Sequence, residues 1–404
     1  MVQTVVSKFQ TGKCLNVVTI GGSVCLGSSF GDRNVSSTPR GPEDAFPKLF
    51  ETLLRNGLVC DGGQHEVYNG CVYAVASDHW VDQLARKDTD LSLRLQNADL
   101  VVVDTSVNDF FDLPHNPGLH SNLDNTERDI KLTEIIAHMI FALPKTPTLL
   151  YLGTSDHKAG NPAHPGNMIE AQNKVAAYYG FPCVSAVAGL SIDTAAKESW
   201  FSNVFRADAC CHPSVLGHQI IAHTLMAWLT TQASGVRAEW PTGRTIPPPQ
   251  WNTQQSIKSH VNNIAPRYFD ATTQYASAPL DAWRVVDEGK NGRKKIGLVS
   301  TMVDSIATWN FQPEQTIRTS LHVEYLRSYE HMGRFELAQC AANVTNPAKG
   351  VIDGLWETKE SQLQVEVFPI RIEPNQPACF TVRVLETTGR SESKVKITSF
   401  LLFA

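Results

Sequence analysis

Long apolar stretches are missing from this chain of 404 residues. A helix needs about 18–20 consecutive apolar residues to span a bilayer, whereas apolar runs such as residues 100–103 have the length of a strand. The first ten residues also lack the basic start and the apolar centre of a signal peptide. We therefore expect no transmembrane segment and no signal peptide in this sequence. Two Asn-x-Ser/Thr sequons, at Asn34 and Asn343, slightly favour a secreted or endomembrane location.

Closely spaced cysteine pairs are also missing. The nine cysteines include no Cys-x-x-Cys pair, which is the spacing typical of structural zinc sites and of thioredoxin-like redox sites. Two pairs, Cys60 with Cys71 and Cys340 with Cys379, are candidate disulfides if the protein resides in an oxidising compartment. Free buried thiols are the other interpretation of the same cysteines.

An excess of basic charge is lacking as well. Lys and Arg together number 35 against 40 Asp and Glu, which gives a net charge of −5, and the basic residues are scattered. This argues against a nucleic-acid partner. The sequence contains neither the Gly-x-x-x-x-Gly-Lys-Ser/Thr nor the Gly-x-Gly-x-x-Gly pattern of nucleotide-binding loops. Hydrophobic residues make up 42 % of the chain, enough for a sizeable core, so wholesale disorder is excluded.

From residue 15 to about residue 230, short apolar segments alternate with longer helical ones. This alternation is typical of a parallel sheet with helices on both faces, an α/β fold. The predicted strands are residues 15–20, 66–68, 99–104, 148–152 and 183–187. The predicted helices are residues 42–56, 78–97, 126–143, 167–179 and 214–231.

The sequence pattern changes after residue 231. Residues 241–249 contain four prolines, which exclude a helix or a central strand there. Beyond residue 283, short segments alternate apolar and polar residues with no helix between them, which predicts a β-sandwich or jelly roll. We therefore predict an α/β domain over 1–231, a Pro-rich linker and packing extension over 232–282, and a β-sandwich-like accessory domain over 283–404. The accessory strands are expected at 296–300, 305–310, 316–326, 364–370, 380–385 and 395–402.

Two polar residues follow predicted strands of the α/β domain. Ser23 lies on the turn that ends the first strand, at the carboxyl edge where open α/β sheets place their sites. Asn108 lies on the loop after the third strand and could direct its side-chain N–H at an oxyanion. An Asn that only caps a turn is the alternative.

A histidine near the end of the same region is a candidate base. His212 precedes Pro213 and Ser214 and the last predicted helix, so we expect it in a loop. Asp208, a short distance upstream, could orient the ring and stabilise the imidazolium that forms when His212 accepts a serine proton. His218 competes for this role, but it lies within the predicted helix and we expect it to be structural.

Together these segments resemble the SGNH (GDSL-type) hydrolase superfamily, whose signature blocks occur in this order over residues 15–231. The resemblance implies a three-layer, flavodoxin-like fold and an esterase without metal or cofactor, with Ser23 as nucleophile, His212 as base and Asp208 as acid. The family acid normally stands three residues before the histidine, where this chain has Ala209. A bulge could absorb the extra residue; otherwise the site would work as a Ser-His dyad.

The resemblance also implies an oxyanion hole. Its donors would be the backbone N–H groups of Ser23 and Ala74 and the side-chain amide of Asn108. The segment from Asn69 to Ala74 resembles the second block, with Ala in place of the usual Gly, and Ser106 replaces the usual Gly of the third block.

These features lead to an esterase as the first functional hypothesis. Because members of the superfamily with an appended β-domain often act on O-acetylated carbohydrate, we expect an acetyl-type ester of a small molecule or a glycan as substrate. An O-acyltransferase that uses the same Ser-His pair and a catalytically silent glycan-binding protein are the alternatives. Tyr325, Tyr329 and Trp356 could be stacking platforms for sugars, although packing within the accessory domain explains them better. The sequence leaves the oligomeric state open.

Overall fold

A computed structural model represents the protein, and it forms two compact units. The first comprises Met1–Pro114 with Asn122–Val261, and the second comprises His115–Ser121 with Asn262–Ala404. The structure describes residues 2–27, 42–72, 75–87, 89–106, 109, 125–154, 168–186, 212–234, 246–252, 267–271, 282–288, 296–311, 317–340, 348–355, 361–387 and 393–403.

The first unit is built on a sheet of five parallel strands, in the order β2-β1-β3-β4-β5. This is the doubly wound, flavodoxin-like order, so the α/β fold class is confirmed. The central strands are buried on both faces, which explains their continuous apolar sequences. The strands are β1 (Asn16–Gly21), β2 (Glu66–Asn69), β3 (Leu100–Asp104), β4 (Thr148–Gly153) and β5 (Cys183–Ser185).

Helices cover both faces of this sheet. Helices α1, α3 and α8 share one hydrophobic core with one face. On the other face, the Tyr151 hydroxyl of β4 donates a hydrogen bond of 3.4 Å to the carbonyl oxygen of Thr133 in α6. The helices are α1 (Val2–Gln10), α2 (Ser23–Leu26), α3 (Phe46–Gly57), α4 (Ser77–Ala85), α5 (Asp90–Asn97), α6 (Asn125–Phe141), α7 (Met168–Tyr179) and α8 (Val215–Ala233). None of the helices described is long and apolar enough to cross a membrane.

The helix predicted over 78–97 is two helices, so that prediction is wrong. The chain leaves the helical conformation after α4 and starts α5 with Thr89 as N-cap, whose side chain accepts a hydrogen bond of 3.0 Å from the backbone N–H of Ser92. A threonine at this position satisfies a backbone donor that a continuous helix would satisfy internally. Helix α1 was not predicted.

Four described cysteines of the first unit form two disulfides between neighbouring strands. Cys14, before β1, is bonded to Cys60, before β2, and Cys25, after β1, is bonded to Cys71, after β2. The predicted Cys60–Cys71 pair is therefore wrong. Because β1 and β2 run parallel and in register, cysteines at equivalent ends of the two strands meet, whereas cysteines at opposite ends of β2 do not.

The second unit is a β-sandwich, as predicted. One sheet has six strands, in the order β13-β10-β15-β8-β7 with β6 beside β15, and the other has four, in the order β12-β11-β14-β9. Aromatic rings from the two sheets meet in the core between them, for example Trp309 and Phe400 with centroids 4.7 Å apart. The strands are β6 (Arg267–Asp270), β7 (Trp283–Asp287), β8 (Ile296–Ser300), β9 (Ile306–Phe311), β10 (Arg318–Ser328), β11 (Arg334–Gln339), β12 (Lys349–Asp353), β13 (Ser361–Ile372), β14 (Ala378–Leu385) and β15 (Val395–Phe403).

Two predictions for this unit have a structural outcome. The Cys340–Cys379 disulfide is present. Tyr325 is buried in the core against Phe335, with ring centroids 5.5 Å apart, so it packs rather than forming a platform for sugars. Trp356 lies outside the described residues. The domain limits 1–231, 232–282 and 283–404 remain predictions; within 232–282 the structure describes residues 246–252 in the first unit and strand β6 in the second.

Candidate active site

The turn that carries Ser23 is fixed by backbone contacts with two neighbouring segments. The backbone N–H of Gly22 donates to the carbonyl oxygen of Asp104 at the end of β3 (3.1 Å), and the N–H of Val72 donates to the carbonyl oxygen of Gly21 (3.0 Å). A Cβ atom on Gly21 would overlap the Asp104 carbonyl oxygen, so only glycine fits here. The chain therefore turns sharply after β1, and Ser23 begins the short helix α2 at the carboxyl edge of the sheet.

Ser23 lies in hydrogen-bond contact with His212. The distance from Ser23 Oγ to His212 Nε2 is 2.8 Å, and the two residues are only 4 % and 2 % exposed. His212 is held just before α8, where the Ser214 side chain caps the helix by accepting a hydrogen bond of 3.0 Å from the N–H of Gly217. The structure thus brings together two residues that are 189 positions apart in the sequence, and these are the two predicted as nucleophile and base.

His218 has a different environment, in agreement with the structural role expected for it. Its Nδ1 accepts a hydrogen bond of 3.2 Å from the backbone N–H of Phe46, the first residue of α3. Burial, together with the nearby His212, lowers the pKa of His218 to about 3. The ring is therefore neutral, and it satisfies a backbone donor at the start of a helix.

The Asn69 side chain connects the Ser23 turn to the chain after β2. Its Nδ2 donates to the carbonyl oxygen of Cys25 in α2 (3.0 Å), and its Oδ1 accepts from the backbone N–H of Cys71 (3.1 Å). The Cys25–Cys71 disulfide joins the same two segments. In the sequence, only the resemblance to the second block pointed to Asn69, and this disulfide was not predicted, because the pairing of β1 with β2 that brings its cysteines together is a property of the fold.

Two buried carboxyl groups to which the sequence pattern assigned no role lie at the end of β3 (Asp104) and in the segment after it (Asp109). Oδ1 of Asp104 accepts from the Thr154 hydroxyl (2.7 Å), whereas its Oδ2 has no hydrogen-bond partner among the described residues. Burial raises the pKa of Asp104 to about 7. Asp109 accepts hydrogen bonds of 2.7 Å from both the backbone N–H and the hydroxyl of Ser77, and burial raises its pKa to about 6 despite these bonds. A carboxylate that ends an otherwise apolar strand was the available signal for Asp104.

The remaining predicted site residues, Ala74, Asn108 and Asp208, lie outside the described residues. Their roles as oxyanion donors and as acid therefore remain predictions. Ser106 is described: its hydroxyl accepts a hydrogen bond of 3.3 Å from the backbone N–H of Thr154, which links the loop after β3 to the end of β4. Among the residues that the structure describes, no group of three or more His, Cys, Asp or Glu side chains could hold a metal ion.

Comparison with known proteins agrees with this architecture. Residues 25–220 match the sequence model of the GDSL-like lipase/acylhydrolase family. A crystal structure of a two-domain esterase active on acetylated mannans superposes with a TM-score of 0.61 at 15 % identity, covering 100 % of this chain and 94 % of that one. A second crystal structure with the same description, in which the esterase was co-crystallised with mannopentaose, superposes with a TM-score of 0.62 at 14 % identity. It also covers 100 % of this chain and 94 % of that one. No curated protein sequence matches the chain.

At these identities the structural likeness shows the fold, and the family match shows the class of reaction. The matched region contains β3, β4 and His212 and begins two residues after Ser23. The chain thus carries a GDSL-like lipase/acylhydrolase domain followed by a C-terminal β-sandwich, and it is a carboxylic ester hydrolase of the SGNH (GDSL) type.

Proposed function

We propose that this protein is a serine esterase that removes acetyl-type groups from carbohydrate through an acyl-enzyme. The observation that carries the proposal is the buried hydrogen bond of 2.8 Å between Ser23 Oγ and His212 Nε2 at the carboxyl edge of the sheet. A serine hydroxyl is a weak nucleophile unless a base in hydrogen-bond contact accepts its proton. The pair has the geometry that this proton transfer requires.

The proposed reaction proceeds in two steps. Ser23 Oγ attacks the acyl carbon while its proton moves to His212 Nε2, and a tetrahedral oxyanion forms. The oxyanion accepts hydrogen bonds from the backbone N–H of Ser23, the N–H of Ala74 and the Asn108 amide. His212 then protonates the leaving alcohol, and the acyl group stays on Ser23. Water gives a proton to His212 as it attacks this ester, and His212 returns that proton to Ser23 Oγ when the acyl carbon–Oγ bond breaks, which releases the carboxylic acid and free Ser23.

Asp208 is proposed as the acid that orients His212. Its carboxylate would accept a hydrogen bond from His212 Nδ1 and stabilise the imidazolium formed in each step. If Asp208 has this role, Asp208→Ala lowers kcat, but by less than His212→Ala. If Asp208→Ala leaves kcat unchanged, the site works as a dyad or uses another acid.

The proposal of a glycan ester rests on the two-unit architecture. The fold neighbour with both units is described as active on acetylated mannans and was co-crystallised with mannopentaose. This chain has the same succession of an α/β unit and a β-sandwich, which supports an acetylated polysaccharide or oligosaccharide as substrate. Three disulfides among the described residues support the proposed secreted or endomembrane location, because such bonds persist in oxidising compartments.

The test combines a fluorophosphonate probe with p-nitrophenyl acetate and acetylated mannan. We expect the wild type to be labelled and to release p-nitrophenol and acetate, and Ser23→Ala to lose labelling and at least about 10³-fold in kcat. Ser234→Ala, an exposed serine at the end of α8, is the matched control and should behave as the wild type.

Each alternative hypothesis has its own outcome in this test. A folded wild type that is neither labelled nor active, but that binds glycans, would be a silent binding protein and would refute the proposal. Acyl transfer to an added sugar, at the expense of free acetate, would identify an acyltransferase that uses the same residues.

A further inference from the structure

The Ser23 turn is connected to the chain after β2 by one covalent bond and two side-chain hydrogen bonds. Cys25, two residues after Ser23, forms a disulfide with Cys71, and the two half-cystines are 0 % and 7 % exposed. The Asn69 side chain spans the same gap, donating to the carbonyl oxygen of Cys25 and accepting from the N–H of Cys71. Within this small region, three residues therefore join the same two segments.

Neither segment has much regular secondary structure of its own, although the backbone N–H groups of Gly22 and Val72 each donate one hydrogen bond to a neighbouring strand. Helix α2 is a single turn of four residues, and an isolated helix of that length is not stable. The chain after β2 continues irregularly from Gly70 to Val72, where the backbone N–H groups of Gly70 and Val72 donate to the carbonyl oxygens of Thr19 and Gly21 in β1. Residues 73 and 74, which contain the proposed second oxyanion donor Ala74, follow directly.

We infer that Cys25 and Cys71 are positioning residues of the active site: their disulfide fixes the Ser23 hydroxyl and backbone N–H relative to the segment that leads to Ala74. The inference rests on the proposed function. Two oxyanion donors on different segments stabilise a transition state only when their separation is fixed. Turnover therefore depends on this disulfide to a degree that loss of folding stability does not explain.

The chain contains its own control for this inference. Cys14–Cys60 joins the same two strands at their opposite ends, where an isolated bridge pairs Lys13 with Asp61. The two disulfides have the same sequence separation, 46 residues. They therefore restrict the unfolded chain to the same extent, but only Cys25–Cys71 lies beside Ser23.

The experiment compares the full-length double variants Cys25→Ala/Cys71→Ala and Cys14→Ala/Cys60→Ala. We expect both to lower Tm, and only the first to lower kcat for p-nitrophenyl acetate. A loss of about 10- to 100-fold is expected, because a misplacement of about 1 Å in a catalytic site can cost on the order of 10²-fold. KM should change little, and amide hydrogen exchange should accelerate at residues 22–27 and 70–72 only in the first variant.

Equal kcat values in the two variants and the wild type would overturn the inference. If Cys25→Ala/Cys71→Ala does not fold, the inference is tested instead by stepwise reduction of the disulfides in the wild-type protein. The half-exposed Cys14–Cys60 bond should open before the buried Cys25–Cys71 bond and without loss of turnover, and turnover should fall when Cys25–Cys71 opens and return on reoxidation. If turnover survives opening of Cys25–Cys71, or if circular dichroism is lost in that same step, the inference is wrong.

Failure of the proposed function would look different. A wild type without esterase activity would refute that function, whereas hydrogen exchange in the two double variants would still show whether Cys25–Cys71 orders the Ser23 turn. Exchange that is unchanged at residues 22–27 in Cys25→Ala/Cys71→Ala would overturn the inference independently of any activity.

Discussion

Gly21, the last residue of β1, is paired with Asp104, the last residue of β3. A Cβ at this position would overlap the Asp104 carbonyl oxygen and come within 2.8 Å of Cys25 Sγ. Both obstacles are rigid, since one is backbone and the other belongs to a disulfide. The substitution must therefore move β1 or the Ser23 turn, which couples stability to the geometry of the site.

We predict that Gly21→Ala lowers the free energy of unfolding by at least about 3 kcal/mol, the upper end of ordinary overpacking, and also lowers turnover. Urea unfolding and p-nitrophenyl acetate kinetics measure the two effects. Gly57→Ala is the matched control, because a Cβ there meets its nearest atom, Met226 Cε, at an ordinary 3.5 Å. A Gly21→Ala protein as stable as that control would contradict the packing argument.

Asp104 gives a prediction about pH. Its pKa rises from 3.8 to about 7 on folding, because burial disfavours the charged form and the nearby Asp109 carboxylate repels it. Between these values the folded state binds more protons than the unfolded state, so this group makes stability fall as pH rises from about 4 to 7. Asp104→Asn keeps an acceptor for the Thr154 hydroxyl and removes the titration.

We therefore predict that Asp104→Asn is more stable than the wild type at pH 8, by up to about 4 kcal/mol, and that the difference disappears near pH 4. Thermal unfolding at several pH values measures this. Asp61→Asn, which changes an exposed aspartate of the same unit, should leave the pH dependence as in the wild type. A pH-independent difference between Asp104→Asn and wild type would show that Asp104 does not titrate in this range.

The sequence predicted the Ser23–His212 pair but not the contacts that hold it. Each of the two residues lies in a recognisable local sequence pattern. Ser23 is in a turn after a strand, and His212 is in a His-Pro-Ser segment that starts a helix. The Asn69 bridge and the Cys25–Cys71 bond join segments whose proximity depends on the register of β1 against β2, which no local pattern specifies. The wrong Cys60–Cys71 prediction has the same origin.

Among the elements, α6 shows how a helix can bind an irregular segment. The carboxylate of Glu134, which is fully buried, accepts hydrogen bonds from the backbone N–H groups of Gln250 (2.7 Å), Trp251 (3.1 Å) and Asn252 (2.7 Å). The Tyr179 hydroxyl donates to it as well (2.6 Å). One side chain therefore satisfies three consecutive backbone donors of the segment that follows the proline cluster.

We predict that Glu134→Gln lowers the free energy of unfolding by about 2–4 kcal/mol, because the amide –NH₂ group faces donors and leaves buried N–H groups unsatisfied. Glu127→Gln, on the same helix, removes only a half-exposed ion pair with Lys131 and should cost less than about 0.5 kcal/mol. Urea unfolding of both variants tests this. Equal losses in the two would mean that residues 250–252 contribute little to the stability of the first unit.

Helices and strands were predictable where their apolar residues recur with a helical or strand period or form a continuous apolar run. Strands of the parallel sheet were predicted to within one or two residues, and the central strands β3 and β4 are the clearest because they are buried along their whole length. The helical pattern of the sequence continues across residues 86–89, and only Thr89, a typical N-cap residue, indicates that one helix ends and another begins there. Four strands of the second unit, β6, β7, β11 and β12, were not predicted. Strand β12, with Gly350 and Asp353, has the composition of a turn, and it is a strand because β11 pairs with it.

At the scale of the molecule, the two units have separate hydrophobic cores. The core of the first unit contains residues from Val5 to Leu229, and the core of the second contains residues from Ala271 to Leu402. The Ser23–His212 pair, the disulfides Cys14–Cys60 and Cys25–Cys71, and the Glu134 contacts all belong to the first unit. A unit with its own core and its own crosslinks is expected to fold independently.

We therefore predict that a chain ending at residue 261 folds and hydrolyses p-nitrophenyl acetate at a rate comparable to that of the full chain. A chain ending at residue 245 is the matched control: it also lacks residues 246–252, leaves the Glu134 carboxylate without its backbone donors, and should have a lower Tm. If the β-sandwich binds glycan, the 261-residue chain also loses activity on acetylated mannan while keeping it on the small ester. An unfolded 261-residue chain would show instead that the first unit needs the second to fold.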